Sequence, residues 1–519
     1  MNKSTAKGVV SAGSRSTAEA GISILQAGGN AVDAAVAAAF AVAAGEPTVT
    51  SLGGAGMMML YHRQSDTLST CDFFANAPVM KPQDQPNLDF LGIDLDYGPT
   101  QQTFFIGRGS AAVPGVIPGL GSVHDKYGSL PFEALLEPAI SQLEYGVELG
   151  PRQRDMGAFL EPILTREAIP KSWFSKDGKF LSEQTEFALP QLARTLREMQ
   201  NQGWQEFYSS SLVPQMLEAF GPTQGGLLTP QDFEQYEAIF RVPTATHFFG
   251  HKVFTVPSPA AGGPMIALML RILGHHGVRD QSPEALMRCF CAVLETADAA
   301  RMRRVDGLAA LPFETEFERF QARCKQLHSP GLVEGGPPST THISVIDGTG
   351  NAVAVTLSHG ESNAHNIGDS GIMMNNFLGE SDLLPQGFGT APPGVRLATM
   401  MSPTIGRSPQ GGVLALGTGG ANRIRSAIMQ SLWHLIAAQA APVRAITAPR
   451  MHYEGGELNL ETFDRSLDMD RLRASIPNGV NEFHEPSLYF GGVNCAVSQP
   501  GGAFDGAGDP RRGGVCLFA

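Results

Sequence analysis

Positive charge is in short supply in this chain of 519 residues: 37 lysines and arginines stand against 50 acids, a net charge of −13, with no basic stripe. Nucleic acid and anionic membrane surfaces are recognised by clustered cations, so neither is an expected partner. Long apolar runs are missing too. The strongest, residues 31–44, is alanine-rich and carries Asp33, and it falls short of the roughly 20 residues that a membrane span needs. Cysteine is scarce: six, at positions 71, 289, 291, 324, 495 and 516, suggest no disulfide framework in a chain this long, and Cys289 and Cys291 stand too close for a typical zinc pair. The stretch from Met1 to Gly8 lacks the charged-then-apolar plan of an export signal, so cytoplasmic residence is the expectation. Low-complexity tracts are absent, and no linker divides the chain into independent domains.

What is abundant is glycine, 60 of 519 residues, against a usual level of about 7%. The glycines cluster in short turn motifs, which implies many tight connections between strands and helices. With 42% hydrophobic residues the chain can bury a large core. Helices are expected over 17–26, with Ser16 and Glu19 as a capping box and Gly28 ending it, over 31–44, through much of 131–235, over 283–305, and over 423–439 as an amphipathic cover. Strands are expected at 8–12, 56–61 and 69–73 in a first sheet, at 249–255, and at 413–416 with a hairpin over 340–358 in a second.

That hairpin carries the chemistry. From Thr340 to Ser358 two alternating strands flank Asp347-Gly348-Thr349-Gly350, a turn sequence. If Asp347 sits opposite Gly350, Thr340 lies level with Leu357 and Ser358 is its diagonal neighbour. A threonine hydroxyl is a weak nucleophile without a base, and no histidine–carboxylate pair is evident at a matching place. Cutting the Ser339–Thr340 bond would free an α-amine of pKa roughly 7.7 to 8.0, able to deprotonate the hydroxyl of its own residue. Before the cut, the same hydroxyl can attack the preceding carbonyl, so the motif suggests a self-processing precursor.

The chain resembles the γ-glutamyltranspeptidase family of N-terminal nucleophile (Ntn) hydrolases nearly end to end. The resemblance rests on Gly28-Gly29-Asn30-Ala31-Val32-Asp33-Ala34-Ala35, Glu46-Pro47, Ser51-Leu52-Gly53-Gly54-Ala55-Gly56, Val113-Pro114-Gly115, Leu228-Thr229-Pro230-Gln231-Asp232-Phe233, Gly371-Ile372-Met373-Met374-Asn375-Asn376, Met401-Ser402-Pro403-Thr404 and Gly506-Ala507-Gly508-Asp509-Pro510-Arg511-Arg512-Gly513, in the family's order. It implies an α+β fold, an αββα four-layer sandwich, made as one intertwined unit from a large part, 1–339, and a small part, 340–519, that begins with the nucleophile. It also implies that Thr340 is that nucleophile, that Ser358 stands where a threonine hydroxyl supports its amine, and that the amides of Gly420 and Ala421 form an oxyanion hole. No cofactor and no metal are implied. The partners are a small amide or peptide-like acyl donor and a water or amine acceptor.

The departures bear on the substrate. Phe74 stands where the family has the arginine that binds the γ-glutamyl carboxylate, Gly360 where it has an asparagine, Phe377 a glutamine, Glu380 an aspartate, and Thr399-Met400 a serine pair. Phe74, Phe377 and Met400 converging on the acyl side predict a hydrophobic acyl group, with Glu380 receiving an amine or hydroxyl. Two other readings stand beside this one: an inactive relative that only binds, and a true γ-glutamyl hydrolase with a rearranged site. Residues 381–398 occupy the lid position and look short, which would leave the site more open. The strip before the cut, about 329–339, is expected to be flexible. His359, Gly360, Glu361, His365 and Asp369 could offer metal ligands, although their spacing fits no established motif; as polar loop residues they would line the pocket mouth.

Overall fold

The computed structural model describes residues 6–96, 101–303, 312–328, 339–384, 386–463 and 467–519. Of the strip expected to be flexible over about 329–339, residues 329–338 lie outside them, and Ser339 is described and buried. Two sheets face each other. The first has seven strands in the spatial order Ile239–Arg241, Thr67–Phe73, Ala55–His62, Ala352–Ser358, Thr341–Asp347, Gly8–Ala12 and Val515–Phe518. The second has six: Thr244–Phe248, His251–Thr255, Thr404–Arg407, Val413–Gly417, Asn494–Ser498 and Phe504–Ala507. Helices Arg15–Gln26 and Ala31–Gly45 cover the outer face of the first sheet, and Gly262–His276 and Arg423–Leu432 that of the second. The result is the αββα sandwich.

Strand alternation builds these layers. Ile343, Val345, Val353 and Val355 point to the helices, whereas Ile346, Ala352 and Ala354 meet Ile405, Val413, Ala415 and Ala496 across the gap between the sheets. Helix Ala31–Gly45 is buried at every position, which the small side chain of alanine permits. Asp33, the charge that interrupts its apolar run, closes a capping box with Asn30. The preceding helix is capped by Ser14, whose hydroxyl accepts from Thr17 N, and not by Ser16. Helix Arg423–Leu432 is also wholly buried, where an amphipathic cover was expected, and π-helical turns follow it over Trp433–Ala437. Among the described residues no helix is long and apolar enough to cross a membrane.

The hairpin differs from expectation twice. It lies in the middle of the first sheet, not in the second, because its outer edges pair with Gly8–Ala12 and Ala55–His62. Its register is also displaced by one residue: Thr341 faces Leu357, and Asp347 closes the loop on Asn351. Gly350 at φ 87° adds the extra loop residue, as in three-residue hairpin loops with a left-handed position. Asp347 fixes this geometry. One carboxylate oxygen accepts from Thr349 N, Thr349 Oγ1 and Asn351 N, and the other from Asn351 Nδ2 and Ala31 N at the start of the buried helix. Removing five bonds to one buried carboxylate is expected to cost about 3 kcal/mol. Asp347→Ala should therefore show a lower denaturant midpoint with an unchanged m-value.

Candidate active site

Thr340 sits just before the central strand, 7% exposed, and Ser339 is fully buried. Continuing the observed register places Thr340 level with Ser358, closer than the diagonal placement expected. Ser358 Oγ donates a short hydrogen bond to the carbonyl of Ser339, the carbonyl of the bond in question, and accepts from Gly360 N at 3.0 Å. Ser339 N donates to Glu361 Oε1 at 3.4 Å. Both backbone polar groups of Ser339 are thus held by neighbouring side chains.

The glycine turn after Val413–Gly417 comes up against the far side of Thr340. A Cβ on Gly419 would lie 2.0 Å from the Thr340 carbonyl oxygen, so only glycine allows that approach. Gly420 at φ 136° and Ala421 at φ 41° both lie in the left-handed region, and helix Arg423–Leu432 begins two residues after Ala421. Among the described residues neither amide is taken by a backbone carbonyl. Two open amides at a helix start suit a developing negative charge.

The residues expected to receive the acyl group fall into two groupings in the structure. The rings of Phe74 and Phe377 lie 5.0 Å apart, within an apolar cluster that holds Leu378, Leu384 and Met401. Met400 is not in that cluster; it packs with the helices behind the second sheet, so the converging methionine is Met401. The Thr399 carbonyl accepts from Ala261 N and Gly262 N, and its hydroxyl accepts from Met401 N. The second grouping is polar. A Cβ on Gly360 would come within 2.2 Å of Glu380 Oε1 and 2.0 Å of Asn376 Oδ1. Burial raises the Glu380 carboxyl well above its ordinary range, and the charge of Glu361 adds to the rise. Glu361 is itself pushed up to about 7 by burial.

Several residues differ from the sequence reading or were missed by it. His359 and Glu361 are buried, not loop residues at a mouth, and burial keeps His359 neutral by lowering it to about 4. His365 pairs with Asp89 at 3.3 Å, away from both. Among the described residues no group of three or more His, Cys, Asp or Glu could hold a metal. Arg512 Nη1 donates to the Thr340 carbonyl at 3.3 Å, and Glu46, raised to about 7 by burial, accepts from Thr341 Oγ1 at 2.6 Å. Both line a small cavity beside Thr340 with Gln153, Asn494 and Asp509. Their motifs are visible in the sequence, but nothing there says that they close on Thr340. The expected lid is pinned down, not open: Phe388 stacks on Phe90 at 3.9 Å, Leu383, Leu384 and Leu397 are buried, and Arg396 donates to the carbonyls of Asp72, Phe74 and Glu237.

Comparison with known proteins bears on the family and the fold. A family model described as gamma-glutamyltranspeptidase matches residues 17–519. The glutathione hydrolase proenzyme of Escherichia coli (strain K12) is 26% identical over 97% of this chain and 90% of its own length. The acylase ACY 1 proenzyme of Pseudomonas sp. (strain SE83) is 28% identical over 96% and 90%. The crystal structure of cephalosporin acylase from Bacillus halodurans superposes with a TM-score of 0.82 at 22% identity, covering 99% of this chain and 96% of that one, which bears on the fold alone.

Proposed function

The chain belongs to the gamma-glutamyltranspeptidase family, an Ntn-type amidohydrolase or acyltransferase, and from that premise we propose that it is made as a precursor that cuts itself between Ser339 and Thr340. Thr340 Oγ attacks the Ser339 carbonyl carbon, the C–N bond breaks, and the hydroxyl proton ends on the Thr340 nitrogen. Water then hydrolyses the resulting ester, leaving Ser339 as a carboxylate and Thr340 as a free chain end. The observation that carries this reading is the Ser358 hydroxyl already donating to the Ser339 carbonyl, where negative charge would develop. Denaturing electrophoresis with N-terminal sequencing tests it: pieces of 339 and 519 − 339 = 180 residues, the smaller beginning Thr-Thr-His. Ser358→Ala removes one oxyanion donor and should slow the cut by about 10²-fold, read as accumulation of the uncut chain.

The same oxygen then serves catalysis. The free amine takes the Thr340 hydroxyl proton, the donor amide is attacked, the oxyanion rests on Gly420 and Ala421, and the amine leaves with that proton. Water or an acceptor amine resolves the ester. Phe74 and Phe377 support a hydrophobic acyl group, and Glu380 offers its edge an acceptor for an amine or hydroxyl. Of the two relatives, one is an acylase proenzyme and the other a glutathione hydrolase proenzyme; Phe74 in the arginine's place favours the former class.

A further inference from the structure

Ser339, the residue that supplies the scissile carbonyl, has two backbone polar groups, and the self-cleavage just described engages only its carbonyl. The other, the N–H of Ser339, goes to Glu361. We propose that Glu361 is a positioning residue for self-cleavage: by accepting from the Ser339 N–H it anchors residue 339 on the side before the scissile bond, so that its carbonyl stays against Ser358 and within reach of Thr340 Oγ. The inference rests on reading Ser339–Thr340 as the bond that is cut.

The surroundings single Glu361 out. It is 1% exposed, its Oε2 has no hydrogen-bond partner, and its own N–H is fixed by Asn376 Oδ1 at 2.9 Å. Gly360, at φ 66° and without a side chain, allows Asn376 and Glu380 to close in beside it. A carboxyl in so dry a place would be costly as mere filling. The groups that face it are Glu380 on the turn after Phe377–Gly379, Arg423 at the start of its helix, neutral His359 beside it in the chain, and the uncharged Ser339 and Asn376. Glu380 raises the cost of a second charge, so the two carboxyls titrate as a pair. An ionised Glu361 accepts a stronger hydrogen bond than a protonated one. The junction is therefore held more tightly as pH rises through neutrality, and cleavage accelerates in that direction. Before the cut Thr340 has no free amine, and His342 is kept neutral by burial at about 3. The other group near the nucleophile raised to about 7 is Glu46, which bears on Thr341.

The test follows the conversion of full-length chain, made by cell-free synthesis, into its two pieces on denaturing gels across neutral pH. The parent, Glu361→Gln, Glu361→Ala and the control Glu46→Gln are compared, with thermal unfolding of each. Glu361→Ala is expected to cut at least about tenfold more slowly at every pH. Glu361→Gln keeps an acceptor without a titration, so it should cut at an intermediate rate with a flat profile, while Glu46→Gln keeps the parent's pH step. If Glu361→Ala cuts at the parent's rate, or Glu361→Gln retains the step, the inference is overturned while the reading of the site stands. Should the alanine variant fail to fold, the glutamine profile decides. A parent chain that never cuts before Thr340 overturns both.

Discussion

Thr340→Ala is expected to remain a single 519-residue chain and to turn over no substrate. Both losses follow from one oxygen, which attacks the Ser339 carbonyl in the precursor and the donor amide afterwards. Removing a nucleophile that forms an acyl-enzyme costs on the order of 10⁶-fold in turnover. The adjoining side chains are committed elsewhere: Thr341 Oγ1 is bonded to Glu46, His342 is buried between the sheets with Thr356 and Ser344 at 2.8 and 3.0 Å, and the Ser358 hydroxyl donates to the Ser339 carbonyl. Thr340→Ser keeps the oxygen and should still cut. Gel electrophoresis reports the first effect, and intact-mass detection of a trapped ester reports the second. Full activity in the alanine variant would eliminate covalent catalysis at this residue.

The second large effect concerns the acyl donor. On the proposed reading a γ-glutamyl head would bring its α-carboxylate to the place of Phe74, whose ring packs against Phe377. The guanidinium that reaches the Phe74 backbone, Arg396, is committed to carbonyl oxygens and to the Asp72 carboxylate. A carboxylate desolvated there without a cation would lose several kcal/mol, about three orders of magnitude in affinity or more. Anilides of hydrophobic acids should therefore exceed γ-glutamyl anilide in kcat/KM by roughly that factor, and Phe74→Arg should narrow the gap from the γ-glutamyl side. Equal turnover of the two donors in the parent protein would show that the glutamyl head is held by other means.

How much of this was legible in the sequence depended on how local the determinants were. The hairpin strands, the glycine turn before Arg423 and the buried alanine helix were readable because alternation, turn residues and small side chains act over a few positions. The register slipped by one because Asp347-Gly348-Thr349-Gly350 fits two loop lengths, and the left-handed Gly350 together with the Asp347–Asn351 bonds decides between them. Assigning the hairpin to the wrong sheet had a different origin: its partners, Gly8–Ala12 and Ala55–His62, are hundreds of residues away, and no local pattern encodes that pairing. Phe74 and Phe377 were singled out through the positions they occupy in a known family, and their packing against one another is what the structure adds. Glu361 was read as a loop residue because polarity suggests exposure, whereas here a glycine at positive φ folds it inward.

The order of strands across the first sheet carries a last consequence. Strands from before and after position 340 are interleaved: Thr341–Asp347 lies between Ala352–Ser358 and Gly8–Ala12, and Val515–Phe518 closes the edge beside Gly8–Ala12. The uncut chain assembles this sheet as a first-order process. Once the backbone is severed, the two pieces can part only by dismantling both sheets, and reunion becomes second-order in protein. Mature material should then be held together by a kinetic barrier and fail to recover from denaturant on dilution, where the alanine-blocked precursor refolds.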